Sequence, residues 1–321
     1  MSWTTSNSGH LIRSEIWSRE LKEVLEDDLM ATGYVNWLTE FPDGEEFVIP
    51  SVGKASVQDY IENTPVQYTA MDTGEFKFQI TEYLSSATFI TNTDKQDMFY
   101  LSQLESKFIP YQRRAIMERV ESDVFKLANQ QTASDTNTIN GAQHRYVATG
   151  GSNGARILQP ADFAKAKFAL KKAHVPLSNL VAIVDPAAAY HIETSTNLVN
   201  VSNNPMFEGI ITTGITTGMR FIKNVYGFDV YESNYLPASA VASEAIGGIN
   251  VSAANGVCNL FFSLAGGDIN PFVGAWRQMP KVDSEYKKDL QRDEYVTTAR
   301  YGVKLYRPEN LVVVLSDDNT V

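Results

Sequence analysis

The sequence predicts an α+β fold of 321 residues, and three observations support this prediction. A stretch with the two-residue period of strands precedes the longest helical pattern in the chain, and short apolar runs with the length of buried strands follow it. No internal repeat is present. With 43% apolar and 20% charged residues, the chain has the composition of a protein with a substantial core.

The charge of the chain limits its partners. There are 38 acidic and 27 basic residues, which gives a net charge of -11. Affinity for a nucleic-acid backbone or for an anionic membrane depends on basic residues. The sequence also lacks a run of about 18 uncharged apolar residues. We therefore expect neither sequence-specific nucleic-acid binding nor membrane association.

The N-terminal region is predicted to be an arm with one amphipathic helix. Its polar start lacks the basic and apolar segments of a secretory signal. In "SEIWSRELKEVLEDDLM", from Ser14 to Met30, apolar residues recur at helical spacing, and Ser14 can cap the helix. The apolar residues are Ile16, Trp17, Leu21, Val24 and Leu25. One short helix cannot bury this stripe alone, so we expect it to pack on the body or on another subunit.

A long β excursion is predicted at residues 45–91. "EEFVIPSV", "EFKFQIT" and "SSATFIT" are its strand signals, and the second places Phe76, Phe78 and Ile80 on one face. A two-stranded ribbon is marginally stable in water. We therefore expect this excursion to gain stability from whatever it reaches.

The longest helical signal runs through "NTDKQDMFYLSQLESKFIPYQRRAIMERVESDVFKLANQQ". It contains two apolar stripes, with Pro110 between them. The stripes are Met98, Leu101, Leu104 and Phe108, then Ile116, Val120, Val124 and Leu127. Proline removes a helical hydrogen bond, so we expect a kink or a break at Pro110. Some 35 helical residues would span on the order of 50 Å, which suits a structural spine.

The second half of the chain predicts one more helix and several strands. "PADFAKAKFALKKAHVP" is a helix with proline in its first turn, and "NLVAIVDP" is a buried strand that leads into a further helix, "AAAYHIE". "GMRFIKNVYGFDVYESNYLP" contains two strand-like runs that meet at Gly227. "CNLFFSLAGG" is another buried strand, and "YVTTARYGVKLYRPENLVVVLS" contains two strands.

No residue pattern indicates catalysis. The four histidines are scattered, "GGSNGAR" lacks the Lys-Ser/Thr of a phosphate-binding loop, and Cys258 between apolar neighbours fits a small buried thiol. The charged segment "DSEYKKDLQRDEY" fits an exposed rim of ion pairs. We therefore assign no catalytic, cofactor-binding or metal-binding residue and expect a protein that is not an enzyme. Carboxylates assembled in space remain an alternative, since sequence cannot exclude them.

The order of these parts, together with several local phrases, resembles one family. The phrases are "FVIPSVGKASVQDY", "FKFQITEYLSSATFITNTDKQDM", "NLVAIVDPAAAYHI" and "GFDVYESNYLP". From Ile16 to Leu315, the chain resembles the major capsid protein of tailed bacteriophages, which has the Hong Kong 97-type capsid fold. The resemblance implies an N-arm at 1–40, an extended loop at 41–92, a peripheral domain with the spine helix at 93–185 and 265–321, and an axial domain at 186–264.

The resemblance also implies a function. Many copies would assemble as hexamers and pentamers into an icosahedral shell that holds packaged double-stranded DNA. The protein would be part of the virion, would assemble in the host cytoplasm, and would have scaffold, portal and decoration proteins as partners, with no cofactor. The candidate contact residues between subunits are Trp17, Leu21, Tyr68, Met71, Phe76, Phe78, Arg220 and Tyr231. The alternatives are an encapsulin-like compartment shell and a carboxylate-dependent enzyme.

Overall fold

The fold is described from a computed structural model, which covers residues 27–39, 46–53, 57–65, 68, 73–97, 101–130, 138–150, 156–194, 221–239, 243–246, 249–252 and 256–317. Within these ranges there are four α-helices: α1 Asn92–Asp97, α2 Leu101–Lys126, α3 Pro160–Lys172 and α4 Pro186–Thr194. The strands are β1 Val35–Leu38, β2 Glu46–Val52, β3 Thr73–Gln79, β4 Glu82–Thr91, β5 Thr138–Ile139, β6 Ala142–Gln143, β7 Arg145–Val147, β8 Leu180–Val184, β9 Phe221–Val225, β10 Phe228–Glu232, β11 Ser243–Ile246, β12 Ile249–Ser252, β13 Gly256–Ser263, β14 Phe272–Lys287, β15 Arg292–Leu305 and β16 Leu311–Asp317. The mixture of helices and strands confirms the predicted α+β class.

A six-stranded mixed sheet lies at the centre of the subunit, in the order β7-β16-β13-β8-β10-β9. Strand β16 is parallel to β7 and antiparallel to β13, and β8 is parallel to β10. All residues of β8 and β13 are buried, which confirms the prediction of buried strands from their continuous apolar runs.

The two faces of this sheet pack against different helices. On one face, α3 and α4 cover a core in which the ring of Phe261 makes edge contacts with Phe163 and Phe228, at centroid distances of 5.0 and 5.4 Å. On the other face, the second half of α2 packs Val120 and Val124 against the sheet. Successive side chains of a strand point to opposite faces, so β16 contributes alternate residues to both cores.

A second sheet has the order β1-β14-β15-β4, and α2 lies across it. The long strand β14 is not among the predicted elements. The charged segment that was expected to form an ion-pair rim lies largely in the distal ends of β14 and β15. These two ends pair with each other, and their residues are exposed or half-buried. It does carry ion pairs, since Glu294 lies 2.7 Å from Lys287 and 2.6 Å from Arg292. These two cations lower the pKa of Glu294.

The sequence predicted a kink or a break at Pro110. Helix α2 continues through this residue, so there is no break, and the kink stays a prediction. Ile109 and Pro110 are both exposed. Water can therefore reach this turn, and it can satisfy the carbonyl that proline leaves without a backbone donor. Beyond Pro110, the predicted second stripe of α2 is buried, as expected.

The predicted hairpin at Gly227 is formed by β9 and β10. Its two turn residues, Tyr226 and Gly227, have φ angles of 52° and 92°. Two positive φ angles are the requirement of a type I′ turn, which glycine meets without strain. Val225, Phe228 and Val230 are fully buried, so the hairpin is an edge of the packed sheet.

The central sheet combines strands from ranges that were expected to form separate domains. Strands β7, β8 and β16 come from the ranges predicted as peripheral, and β9, β10 and β13 come from the range predicted as axial. They share one sheet because β13 pairs with both β8 and β16. The division of the chain into domains stays a prediction.

The burial of His144 predicts a loss of stability in acid. Its side chain is 1% exposed, and Nδ1 donates to the carbonyl of Ala142 at 3.2 Å. Burial is the main cause of a pKa that lies below the usual 6.5. The unfolded chain then binds a proton more readily than the folded chain, so the free energy of unfolding falls as the pH drops below 6.5.

Urea unfolding between pH 7.5 and 5.5 tests this expectation, over a range chosen to span the usual histidine pKa of about 6.5. The decrease in the free energy of unfolding should be smaller in His144→Gln than in the wild type. The control is His191→Gln on α4, which removes a histidine at a partly exposed position. Equal slopes in all three proteins would contradict the role given to His144.

Candidate assembly surfaces

Strands β2 and β3 form a two-stranded ribbon whose root is part of the core. Seven residue pairs join them, from Glu46–Gln79 to Val52–Thr73. Phe78 is fully buried at the root, in a small cluster with Ile80, Val273 and Ala275. The ribbon therefore begins as a packed element of the subunit.

The far end of the ribbon is exposed and apolar. Four large side chains at residues 57–68 have high exposed fractions: Val57 96%, Tyr60 78%, Ile61 64% and Tyr68 97%. Scattered apolar residues are normal on a surface, but such a concentration marks an interaction site. We call residues 57–65 and 68 the ribbon tip. Its described charged residues are Asp59 and Glu62, and no basic residue lies among them.

An open groove with a volume of about 560 Å³ lies between β1, α2 and β14. Its floor contains the stacked rings of Trp37 and Trp276, whose centroids are 5.1 Å apart. Met117 and Met279 add flexible apolar surface, and Met279 is 69% exposed. Two arginines also line it, Arg113 and Arg277. We call this feature the tryptophan groove.

A buried carboxylate holds the chain that leads into the groove. Glu121 of α2 is fully buried and accepts hydrogen bonds from the backbone N–H groups of Met30, at 3.0 and 3.1 Å, and Ala31, at 2.8 Å. Burial raises the pKa of Glu121, although these donors and Arg114 act in the opposite direction. Because the donors are backbone groups, this anchor fixes the course of the chain before β1.

The structure separates the predicted contact residues by exposure. Tyr68 is exposed at the tip, whereas Phe78 is buried within its own subunit. Phe76 is partly buried, with its ring 4.9 Å from that of Tyr306. Tyr231 packs on the anchored arm segment, with its ring centroid 6.5 Å from that of Tyr34. Trp17, Leu21, Met71 and Arg220 lie outside the described residues. A role in subunit contacts stays a prediction for all of them.

Sequence reasoning did not find the tryptophan groove. Trp37 and Trp276 are far apart in the chain, and only the parallel pairing of β1 with β14 brings them together. The apolar run "PFVGAW" before Arg277 is the signal that could have predicted β14.

The geometry of the described residues offers packing surfaces. Across the described ranges, no group of three or more His, Cys, Asp or Glu side chains could hold a metal ion. Cys258 is fully buried, as expected, and its Sγ lies 3.6 Å from Oδ1 of Asn129. None of the helices in the described part of the chain is long and apolar enough to cross a membrane.

Solved structures with the same fold come from phage capsids. A structure from Mycobacterium phage Che8 has 18% identity and a TM-score of 0.66, over 95% of this chain and 97% of that chain. The capsid structure of cyanophage P-SCSP1u has 17% identity and a TM-score of 0.69, over 96% and 93%. The capsid of cyanophage Pam1 has 13% identity and a TM-score of 0.66, over 100% and 99%. The chain thus has the Hong Kong 97-type capsid fold that the resemblance implied.

The family comparison identifies the protein more closely. Residues 75–314 match the family described as phage capsid protein, and the chain belongs to this family. No curated protein matches the sequence. The protein is a major capsid protein, a building block of the phage head shell.

Glu121→Ala should destabilise the subunit by about 2–3 kcal/mol, because the backbone N–H groups of Met30, which is partly buried, and Ala31, which is buried, lose their acceptor. The matched control is Glu118→Ala, one turn earlier on α2. Glu118 is 35% exposed, pairs with Arg114 at 3.1 Å and accepts from the hydroxyl of Tyr235 at 3.2 Å, so its loss leaves groups that water can reach and should cost less than the loss of Glu121. Denaturant unfolding measures both values. The same loss in both variants would contradict the anchoring role of Glu121.

Proposed function

We propose that copies of this chain form hexamers and pentamers that close into an icosahedral shell around packaged double-stranded DNA. The exposed apolar ribbon tip carries this proposal, since an isolated subunit leaves it in water. Burial of the tip against another copy would couple the stability of the subunit to assembly. The role is structural and not enzymatic.

The tryptophan groove of a neighbouring copy is the surface that fits the ribbon tip. The tip contributes tyrosine, valine and isoleucine side chains, and the groove contributes tryptophan and methionine. The charges are also complementary, because the tip carries Asp59 and Glu62 while Arg113 and Arg277 line the groove. Among the predicted contact residues, Tyr68 is the best candidate for a direct contact, because it is exposed at the tip. Phe78 is buried at the root, so it would contribute indirectly by holding the ribbon in place.

The predicted regions take roles in this assembly. Residues 1–40 would act as the N-arm and residues 41–92 as the extended loop, whose described part is the ribbon. Residues 186–264 would form most of the axial domain around capsomer centres, with β9 and β10 at its sheet edge. The remaining residues would form the peripheral domain, which contains α2.

The net charge of -11 supports a container rather than a DNA-binding protein, because an acidic surface does not grip the phosphate backbone. Assembly would take place in the host cytoplasm with scaffold, portal and decoration proteins as partners. An encapsulin-like compartment would have the same fold, and the presence of DNA in particles from infected cells distinguishes the two.

Electron microscopy of the purified protein tests the proposal directly. Closed shells, or separate hexamers and pentamers, are the expected particles. A persistent monomer at high concentration, with hydrolytic activity, would instead support the carboxylate-dependent enzyme.

A charge exchange tests the contact between tip and groove. The double variant Arg113→Glu/Arg277→Glu should assemble poorly, because like charges would then meet at the contact. Adding Asp59→Arg and Glu62→Arg to the same chain should restore assembly. The matched control is Lys281→Glu, at an exposed position on β14 outside the groove lining, which should assemble normally. Normal assembly of the double variant, measured by sedimentation, would refute this contact.

A further inference from the structure

Strand β4 is an edge without the usual protection. It is the last strand in the order β1-β14-β15-β4, and within the described ranges it pairs only with β15. Its ten residues, "EYLSSATFIT", contain one charged side chain, Glu82, and no lysine, glycine or proline. Natural edge strands are normally short, charged, bulged or covered, because a bare edge pairs with other strands.

One face of this edge is exposed. Tyr83, Ser85, Ala87 and Phe89 alternate along it, and the two aromatic side chains are 65% and 55% exposed. The other face is directed toward α2, as the burial of the paired residues of β15 shows. The exposed face therefore has an aromatic residue at each end and small residues in the middle.

We propose that two copies of the subunit pair through β4, antiparallel, about a two-fold axis at Ser86. In this register, Tyr83 lies opposite Phe89 of the partner subunit, and Ser85 lies opposite Ala87 of the partner subunit. A two-fold contact uses the same patch on both copies, so the patch must be complementary to itself. The sequence of β4 meets this requirement, because its aromatic residues lie at equal distances on either side of Ser86.

The neighbouring strand places a charged residue beside each aromatic residue. In β15, Glu294 lies opposite Phe89 and Arg300 lies opposite Tyr83, on the same exposed face. Each of the two rows that contain an aromatic pair would therefore begin with a carboxylate and end with a guanidinium. Moving the axis by one residue would leave both aromatic residues opposite smaller side chains. If the register slipped by one residue, side chains of the exposed face of β4 would lie opposite side chains of the face directed toward α2.

This contact would join two four-stranded sheets into one sheet of eight strands. It adds main-chain hydrogen bonds and two aromatic pairs between subunits. It is independent of the contact between tip and groove, which does not involve β4. A shell needs contacts between its capsomers as well as within them, and a two-fold contact can supply them.

Disulfide trapping tests the register. The double variant Ser85→Cys/Ala87→Cys places two sulfur pairs across the axis, and oxidation should produce a covalent dimer on a non-reducing gel. Each single variant faces a residue without sulfur, so it should remain a monomer on the gel. The buried Cys258 is common to all of the proteins and provides the background.

Two further substitutions in the double-cysteine chain complete the test. Tyr83→Lys should abolish the covalent dimer, because it removes both aromatic pairs and charges the edge. Thr298→Lys, on the same face but in β15, should keep it. Shells without a covalent dimer, or a dimer that also forms in the single variants, would overturn the β4 contact and leave the capsid role intact. A covalent dimer without shells would support the β4 contact and count against the proposed assembly.

Discussion

The pairing of β13 with β16 is the interaction on which the rest of the subunit depends. Both strands are buried on both faces, so their side chains build the core under α3 and α4 and also the core under α2. The polar Asn259 is tolerated there because its side-chain amide donates to the carbonyl of Val314 and to the hydroxyl of Ser316. Through α2, the same strands position the long sheet that carries the ribbon and the tryptophan groove.

The sequence predicted the elements whose signal is local. Strand β8 is a continuous apolar run, and the hairpin turn at Gly227 needs a residue that accepts positive φ. Strand β14 was missed because charged and apolar residues mix along its distal half, where only neighbouring strands stabilise it. Helix α2 is not broken at Pro110 because packing of the following turns, beginning at Ile116, outweighs one missing backbone bond. For the candidate site, Tyr68 could be predicted from the isolated ribbon, but the groove depends on long-range pairing.

The ribbon shows how one element serves two purposes. Its root carries the fully buried Phe78, while its tip exposes Tyr60 and Tyr68. A rigid root presents the tip in a fixed direction, so less conformational entropy is lost when the tip is covered. A subunit contact can therefore cover a long extended loop of this kind with a smaller loss of conformational entropy.

The position of β16 in the chain has a consequence for biosynthesis. Its partner β7 is at Arg145–Val147, while β16 is at Leu311–Asp317, so the ribosome makes about half of the chain between the two. Neither core can close until β16 has left the ribosome, because β16 lines both. An interrupted chain would thus remain unfolded and open to proteolysis instead of entering a shell as a defective subunit. The topology thus ties the closure of both cores to the synthesis of residues 311–317.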